Sequence, residues 1–183
     1  MHLYFSSLFI LLLLFKDGDS PNPEGPATVV IKKEKSGYRL YCNGQPYFIK
    51  GAGGYEHYEK IKAYGGNSVR IWSLKGAKEF MDKAHRLGLT VTLGLDLEQQ
   101  RTGFNYSDKK AVKAQFERIK KDILAYKDNP ALLLWGIGNE VEQFGDNYDM
   151  WNAINDISNF IHKADPKHPT TTMVAGVPRK YIR

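Results

Sequence analysis

Apolar and polar residues follow two alternating patterns along the chain. Short stretches that combine apolar or β-branched residues with at most one charged residue recur at 67–72, 90–96, 131–138 and 170–175, as in strands of a covered sheet. Between them, apolar residues recur every three or four positions, as on one face of a helix. The longest such stripe comprises Val112, Phe116, Ile119, Ile123 and Tyr126, and Ser107 is placed to cap it. The pattern predicts strands that alternate with helices.

The chain before this alternation predicts a small antiparallel unit. Residues 28–33 and 38–42 have the composition of two short strands, and a further strand is expected over 46–51 after the Asn43–Gly44 turn. A first helix is expected over 55–64. A short β-hairpin should therefore precede the alternating part.

Apolar strands separated by helices are typical of a parallel sheet covered by helices, and hence of an α/β fold. The glycine-rich stretch 51–54 lacks the spacing of a phosphate-binding loop, which disfavours an open nucleotide-binding sheet. Polar residues end several strands, namely Arg70, Asp96, Asn139 and Glu140. A (β/α)8 TIM barrel builds its active site at the carboxyl ends of its strands, so the pattern favours a barrel.

The first residues are typical of a targeting segment rather than of part of the folded domain. The apolar run over 4–15 is too short to span a bilayer but suits the core of a signal peptide. We expect 1–20 to be a signal peptide or membrane-targeting segment, 21–27 a linker and 28–183 the folded domain. The protein would then be secreted or periplasmic, with no stable membrane span after removal of the signal.

Composition excludes several classes of function. The chain is 42% hydrophobic, which favours a globular protein. Its net charge of +6 comes from 26 Lys and Arg against 20 Asp and Glu, with no long basic block, so no nucleic-acid partner is expected. No histidine pair has metal-ligand spacing, and no metal or cofactor is expected. The single cysteine, Cys42, excludes an internal disulfide.

Three motifs resemble the catalytic TIM barrel of glycoside hydrolase family 2, within the clan A retaining glycosidases. They are NGQPYFIKG over 43–51, GNSVRIW over 66–72 and LWGIGNE over 134–140, which are similar to the opening, second strand and fourth strand of that barrel. The opening also resembles that of the fungal family 72 glucanosyltransferases. The resemblance covers roughly residues 38–175 and implies an enzyme that acts on β-linked carbohydrates.

The resemblance implies roles for three residues. Glu140 matches the general acid/base, which protonates the departing glycosidic oxygen and then takes a proton from water or a sugar hydroxyl. Asn139 matches the residue that hydrogen-bonds the sugar 2-hydroxyl, and Arg70 matches an arginine that keeps the nucleophilic carboxylate ionised. Apart from the resemblance, Trp72, Asp96 and the loop over 98–101 are candidates to line the substrate cleft, because they follow strand ends and an aromatic ring can stack on a sugar face.

A simpler interpretation is open for each of these residues. Asn139 and Glu140 also suit the cap and acidic first turn of a helix. Arg70 also suits an ion pair at the end of a strand, and Trp72 suits packing. Asp96 and the loop over 98–101 suit a solvated connection.

The second carboxylate of the family pattern is missing. Retaining hydrolysis needs two carboxyl groups about 5–5.5 Å apart, and in this clan the nucleophile is a glutamate on the seventh strand. A complete barrel has about 250 residues, whereas this chain has 183 and its last predicted strand is the fifth of the barrel. We therefore expect the N-terminal half of a barrel, with the nucleophile beyond Arg183 and self-association through the open edges.

Two classes of function follow. In the first, the chain is part of an enzyme: a retaining β-glycosidase, or a β-glucan transglycosylase if a sugar hydroxyl reaches Glu140. In the second, it is a non-catalytic truncated barrel with a carbohydrate-binding or interaction role. The three motifs favour the enzyme, and the missing nucleophile favours the non-catalytic protein.

Overall fold

The computed structural model of the protein describes residues 25–144 and 147–176. The predicted targeting segment over 1–20 and positions 21–24 of the predicted linker lie outside the described residues. Ala27, the last position of that linker, is already buried. In the described part, no helix is both long and apolar enough to cross a membrane.

The described part of the chain contains two sheets, four α-helices and a 3-10 helix over Gln100–Thr102. The antiparallel sheet consists of β1 (Val29–Glu34), β2 (Gly37–Cys42) and β3 (Gln45–Pro46). The parallel sheet consists, in spatial order, of β4 (Gly51–Gly53), β5 (Ser68–Ile71), β6 (Thr90–Leu95), β7 (Leu132–Asn139) and β8 (Thr170–Met173). The helices are α1 (Tyr58–Ala63), α2 (Ala77–Arg86), α3 (Lys109–Tyr126) and α4 (Asp149–Ala164). The fold is α/β, as predicted, and the parallel sheet is compatible with a truncated barrel.

The helices form the main core with one face of the parallel sheet. Alternate strand residues such as Val69, Ile71 and Leu93 are almost completely buried there. They meet the apolar stripes of the helices, which contribute Ile119 and Ile123 from α3. Burying each such side chain contributes about 1.5–3 kcal/mol, so this packing holds the strands in their order.

The opposite face of the parallel sheet is concave and open. It encloses a space of about 330 Å³ that is lined largely by small and polar residues, among them Gly51, Ser68, Arg70, Thr92 and Thr171. Within the described residues, β4 and β8 each pair with one strand of this sheet. The sheet therefore has two unpaired edges in the part of the chain that the structure describes.

The antiparallel sheet lies at the amino ends of the parallel strands. The Val29 N–H donates to the carbonyl of Lys167, just before β8, over 2.8 Å. The Tyr47 hydroxyl donates to the carbonyl of Asn67 over 2.8 Å and lies 3.0 Å from Oγ1 of Thr90, at the starts of β5 and β6. This leaves the carboxyl ends of the strands uncovered by the small sheet.

The predicted strand over 46–51 is wrong. Positions 47–50 form no regular strand, and they connect the antiparallel sheet to the parallel one. The side chain of Asn67 replaces a strand ladder there, because its Oδ1 accepts a hydrogen bond from the Lys50 N–H at 2.8 Å and its Nδ2 donates to the Phe48 carbonyl at 2.9 Å. The apolar pattern of this stretch does not reflect burial, since Phe48 and Ile49 are exposed and only Tyr47 is partly buried.

Two predicted helix starts also need correction. The first helix begins at Tyr58 rather than at 55, after His57 with a φ of 60°. The N-cap of α3 is Asp108, whose Oδ1 accepts from the N–H groups of Lys110 and Ala111 at 2.9 and 3.1 Å. Ser107 was expected to be this cap, but Asp is an equally good cap residue, and it stands one position closer to the helix.

A buried polar cluster joins β7 to the segment before β8. Trp135 Nε1 donates to Oδ2 of Asp165 over 2.7 Å, and His168 Nδ1 lies 2.8 Å from the same oxygen. The His168 and Asp165 side chains are 0% and 2% exposed. Burial raises the pKa of Asp165, but the hydrogen bonds from His168 and Trp135 and the nearby His168 charge outweigh it and leave that pKa below its ordinary value. The cluster thus aligns two strands whose carboxyl ends border the candidate site.

Candidate active site

All five predicted site residues lie at the carboxyl ends of three adjacent parallel strands. Arg70 is in β5 and Trp72 follows it, Asp96 follows β6, Asn139 ends β7 and Glu140 comes next. Parallel strands bring their carboxyl ends to one edge of the sheet, which is where binding and catalytic residues of such folds gather. The structure therefore places these residues around one edge. Their contacts show which of them touch each other and which contact neighbouring loops.

Arg70 and Asn139 contact each other directly. The Arg70 Nη2 donates to Asn139 Oδ1 over 2.5 Å. A hydrogen bond from a charged donor is among the stronger ones in proteins, and it fixes which end of the Asn139 amide faces Arg70. The Asn139 Nδ2 then keeps its two N–H donors for other partners. A donor at this position suits a sugar hydroxyl.

The Trp72 side chain crosses the carboxyl end of the sheet. A Cβ added at Gly94 would lie 2.5 Å from Trp72 Cα, and one added at Gly53 would lie 2.9 Å from Trp72 Cζ3. The two glycines therefore allow the residue to lie close against β4 and β6. The Tyr55 ring meets Trp72 edge to face with centroids 5.2 Å apart, and the Arg70 guanidinium lies 5.7 Å from the Trp72 centroid. With 41% of its surface exposed, Trp72 is a fixed aromatic surface beside Arg70.

Glu140 has an unusual backbone conformation. Its φ is 52°, in the left-handed region, two residues after Gly138 with a φ of 74°. Such a conformation is uncommon for a residue with a side chain and costs about 1–2 kcal/mol. The Glu140 carboxylate is 41% exposed, and its Oε2 lies 3.9 Å from Nη1 of Arg101. The alternative that Asn139 and Glu140 cap a helix is wrong, because α4 begins only at Asp149.

Asp96 is directed toward a neighbouring loop. Its Oδ2 accepts hydrogen bonds from the Leu74 N–H at 3.0 Å and from the Ser73 hydroxyl at 3.3 Å. Its carbonyl accepts from Nη2 of Arg118 at 2.8 Å. These contacts tie the loop after β5 to the end of β6. Asp96 thus holds a loop in place at the edge that carries Arg70.

The loop after β6 contributes two residues that the sequence did not single out within it. Gln99 Nε2 donates to the Asn139 carbonyl over 2.8 Å, and Arg101 Nε donates to Gln99 Oε1 over 2.8 Å. The alternatives of a cleft-lining and a solvated loop over 98–101 were both open from sequence. These contacts bring the loop against Asn139 and Glu140. No feature of the Gln99–Gln100 pair in the sequence distinguishes the residue that makes this contact.

Two glutamates in the loops that follow β6 and β7 have other partners. Glu98 Oε1 lies 3.7 Å from Nη2 of Arg118, and Oε1 of Glu142 accepts a hydrogen bond from the Ala175 N–H. Among residues 25–144 and 147–176, no group of three or more His, Cys, Asp or Glu side chains is arranged to hold a metal ion. This edge offers the Glu140 carboxylate with Arg101 3.9 Å away, next in the chain to an Asn139 amide that the Arg70 guanidinium holds.

Comparison with known proteins identifies the fold. No protein-family model matches the chain, and no curated protein matches its sequence. Among solved structures, the β-glucuronidase of Bifidobacterium dentium matches with a TM-score of 0.65 and 19% identity, over 84% of this chain and 27% of that one. A glycosyl hydrolase family 2 member from Bacteroides cellulosilyticus matches with a TM-score of 0.61 and 20% identity, over 83% and 21%. The chain has the fold of part of the family 2 glycosidases.

A third similar structure is of an enzyme named for a different sugar acid. The family 2 β-galacturonidase of Eisenbergiella tayi matches with a TM-score of 0.60 and 18% identity, over 80% of this chain and 28% of that one. The chain thus spans less than a third of the length of each of these three enzymes. At such identities the likeness concerns the fold, and the reaction has to be argued from the residues of the site.

Proposed function

We propose that the chain carries the acid/base part of a retaining β-glycosidase site, with Glu140 as the general acid/base. The observation that carries this proposal is the direct Arg70–Asn139 hydrogen bond beside Glu140 at the carboxyl edge of the parallel sheet. The family 2 fold of the similar structures supports it, because it agrees with the three sequence motifs that contain these residues.

The proposed mechanism uses Glu140 twice. In the first step its protonated carboxyl donates a proton to the glycosidic oxygen as the bond from that oxygen to the anomeric carbon breaks, and a second carboxylate bonds to the anomeric carbon. In the second step the Glu140 carboxylate takes a proton from the attacking water, and the second carboxylate leaves. A transglycosylase differs only in using a sugar hydroxyl in place of that water. We assign the second carboxylate to a residue outside the described part of the chain.

Asn139, Arg70 and Trp72 would bind the sugar in this mechanism. The free Nδ2 donors of Asn139 suit the sugar 2-hydroxyl, a hydrogen bond that strengthens in the transition state. The Arg70 guanidinium holds Asn139 and supplies the positive charge expected beside an ionised nucleophile. The exposed Trp72 ring suits stacking on an apolar sugar face. The predicted export of the protein fits a substrate outside the cell and stays a prediction.

Hydrolysis of aryl β-glycosides tests the proposal. The panel would include glucosides, galactosides, glucuronides and galacturonides, and the variants would be Glu140→Gln and the matched control Glu79→Gln on the exposed surface of α2. General acid–base catalysis contributes about 10²–10⁴-fold, so Glu140→Gln should lose that much of kcat/KM for substrates with poor leaving groups, and Glu79→Gln should lose none. Wild-type turnover that Glu140→Gln leaves unchanged would contradict the proposal.

A second candidate function is carbohydrate binding without turnover. It is favoured by the contacts of Glu98 and Glu142, since these two glutamates are engaged by Arg118 and by the Ala175 N–H. For this function, methyl β-glycosides should shift the indole N–H resonance of Trp72 while folded wild-type protein hydrolyses none of the panel. Turnover that depends on Glu140 would exclude it.

A further inference from the structure

The peptide bond between Asn139 and Glu140 is held from both sides. Its carbonyl oxygen, on Asn139, accepts a hydrogen bond from Gln99 Nε2 at 2.8 Å. Its N–H, on Glu140, donates to the carbonyl of Met173 at the end of β8 over 2.8 Å. A left-handed residue such as Glu140 persists only when surrounding contacts hold it, and these two hydrogen bonds fix the plane of the peptide that sets its φ.

The Gln99 amide is oriented for this contact. Its Oε1 accepts a hydrogen bond from Arg101 Nε at 2.8 Å, which leaves the Nε2 donors to face the Asn139 carbonyl. The same Arg101 places Nη1 3.9 Å from the Glu140 carboxylate. Gln99 and Arg101 thus contact both the backbone before Glu140 and its side chain.

The segment that carries Gln99 is anchored in the core. The preceding residue, Glu98, donates its N–H to Gln115 Oε1 over 2.7 Å and accepts at its carbonyl from the Tyr106 hydroxyl at 2.6 Å. Tyr106 and Gln115 are 1% and 5% exposed. Burial raises the pKa of Tyr106 to about 12, so its hydroxyl stays a donor throughout the physiological range. Gln99 therefore extends from a fixed point of the loop.

We propose that Gln99 is a positioning residue for Glu140. It holds the Asn139 carbonyl so that Glu140 keeps its left-handed backbone and presents its carboxyl at the edge of the sheet next to Arg70 and Asn139. The catalytic consequence rests on the proposed acid/base role of Glu140, whereas the conformational consequence belongs to the folded chain and is measured without any turnover.

The test compares conservative substitutions of two adjacent glutamines in the full chain. Gln99→Glu keeps the size of the side chain and an acceptor for Arg101 but removes the donor to the Asn139 carbonyl, and Gln99→Leu removes the donor without adding charge. Gln100→Glu is the matched control, because the hydrogen bonds of the Gln100 side chain among the described residues go to Asn147 and Met150, after the candidate site. The readouts are the three-bond HN–Hα coupling and the Cβ chemical shift of Glu140 in assigned NMR spectra.

We expect both Gln99 variants to lose the left-handed values of Glu140 and the Gln100→Glu variant to keep them. Wild-type values in both Gln99 variants would overturn the proposal. Loss of dispersed signals throughout a Gln99 variant, or the same change in Gln100→Glu, would also overturn it, because Gln99 would then support the fold in general. An active protein adds a second readout, in which the Gln99 variants lower kcat with little change in KM. Failure of the glycosidase proposal leaves the NMR result intact, so the two failures are distinguishable.

Discussion

Arg70 is the residue that links the predicted site across the sheet. It lies in β5, and its guanidinium donates to the Asn139 amide at the end of β7 while it lies near the Trp72 ring. The Nε of Arg70 is buried and donates to no group of the described residues. Arg70 therefore has a donor available for a further hydrogen bond, as expected for an arginine that lies next to an anionic group.

Replacing Arg70 by Lys should weaken the site without removing the positive charge. Lysine lacks the planar set of donors with which arginine makes this contact, and hydrogen bonds to charged groups contribute about 1.5–3 kcal/mol. We expect kcat/KM for aryl β-glycosides to fall roughly tenfold to a hundredfold. Arg86→Lys, on the exposed end of α2, is the matched control and should be unchanged. An Arg70→Lys variant as active as the control would contradict this role of Arg70.

Single residues differ in how far the sequence predicts their positions. Arg70, Asn139 and Glu140 end apolar strands, so their place at one edge follows from the topology of a parallel sheet. The contact of Gln99 with the Asn139 carbonyl depends on the turn after β6 and on the backbone of Glu140. Hydrogen bonds to main-chain carbonyls leave no pattern in the sequence, which is why this residue was missed.

At the scale of elements, periodicity predicts strands and helices well where burial decides the structure. The strands after 67 and the helices α2, α3 and α4 lie where the apolar patterns indicated. The failures lie at 46–51 and at the helix starts, where polar side chains such as Asn67 and Asp108 satisfy the backbone. Such contacts decide where an element begins, and they are set by local geometry rather than by hydrophobicity.

The buried cluster of Trp135, Asp165 and His168 should make the stability of the protein sensitive to mutation at Asp165. Asp165→Asn removes a carboxylate that binds Trp135 and His168 in a region that is almost completely buried, and a hydrogen bond to a charged group contributes about 1.5–3 kcal/mol. Asp156→Asn, on the exposed face of α4, should change stability by less than about 0.5 kcal/mol. Urea unfolding monitored by circular dichroism measures both. Equal midpoints for the two variants would contradict the stabilising role of the cluster.

The same cluster predicts a loss of stability in acid. The folded pKa of Asp165 lies below its ordinary value because the hydrogen bonds from His168 and Trp135 outweigh the effect of burial. The unfolded pKa is about 3.9, so the contribution of Asp165 is fully present above that pH and is lost as the pH falls through the lower, folded pKa. Thermal melts between about pH 6 and pH 2 should therefore show a steeper decline for wild type than for Asp165→Asn. Parallel declines would count against this linkage.

At the scale of the whole molecule, the open sheet predicts self-association. In the described part, β4 and β8 each pair with a neighbouring strand on one side only. The concave face of the sheet between them borders an open cavity of about 330 Å³. Unpaired strand edges are templates for pairing with other chains, and charges on them oppose it. We expect the purified chain to associate in a concentration-dependent way, as followed by sedimentation velocity. Thr171→Lys on β8 should reduce the association, and Ala114→Lys on the exposed face of α3 should not. A monomer at all concentrations would contradict the prediction.

The most direct test of the central claim is chemical rescue of the Glu140→Ala variant by azide. If Glu140 is the acid/base of a retaining mechanism, this variant should hydrolyse aryl β-glycosides slowly. Azide, which needs no proton removed, should restore turnover by attacking the glycosyl-enzyme. The product should be the β-glycosyl azide, since two displacements retain configuration. Turnover by Glu140→Ala at the wild-type rate, or a slow variant that azide does not accelerate, would contradict the assignment of Glu140.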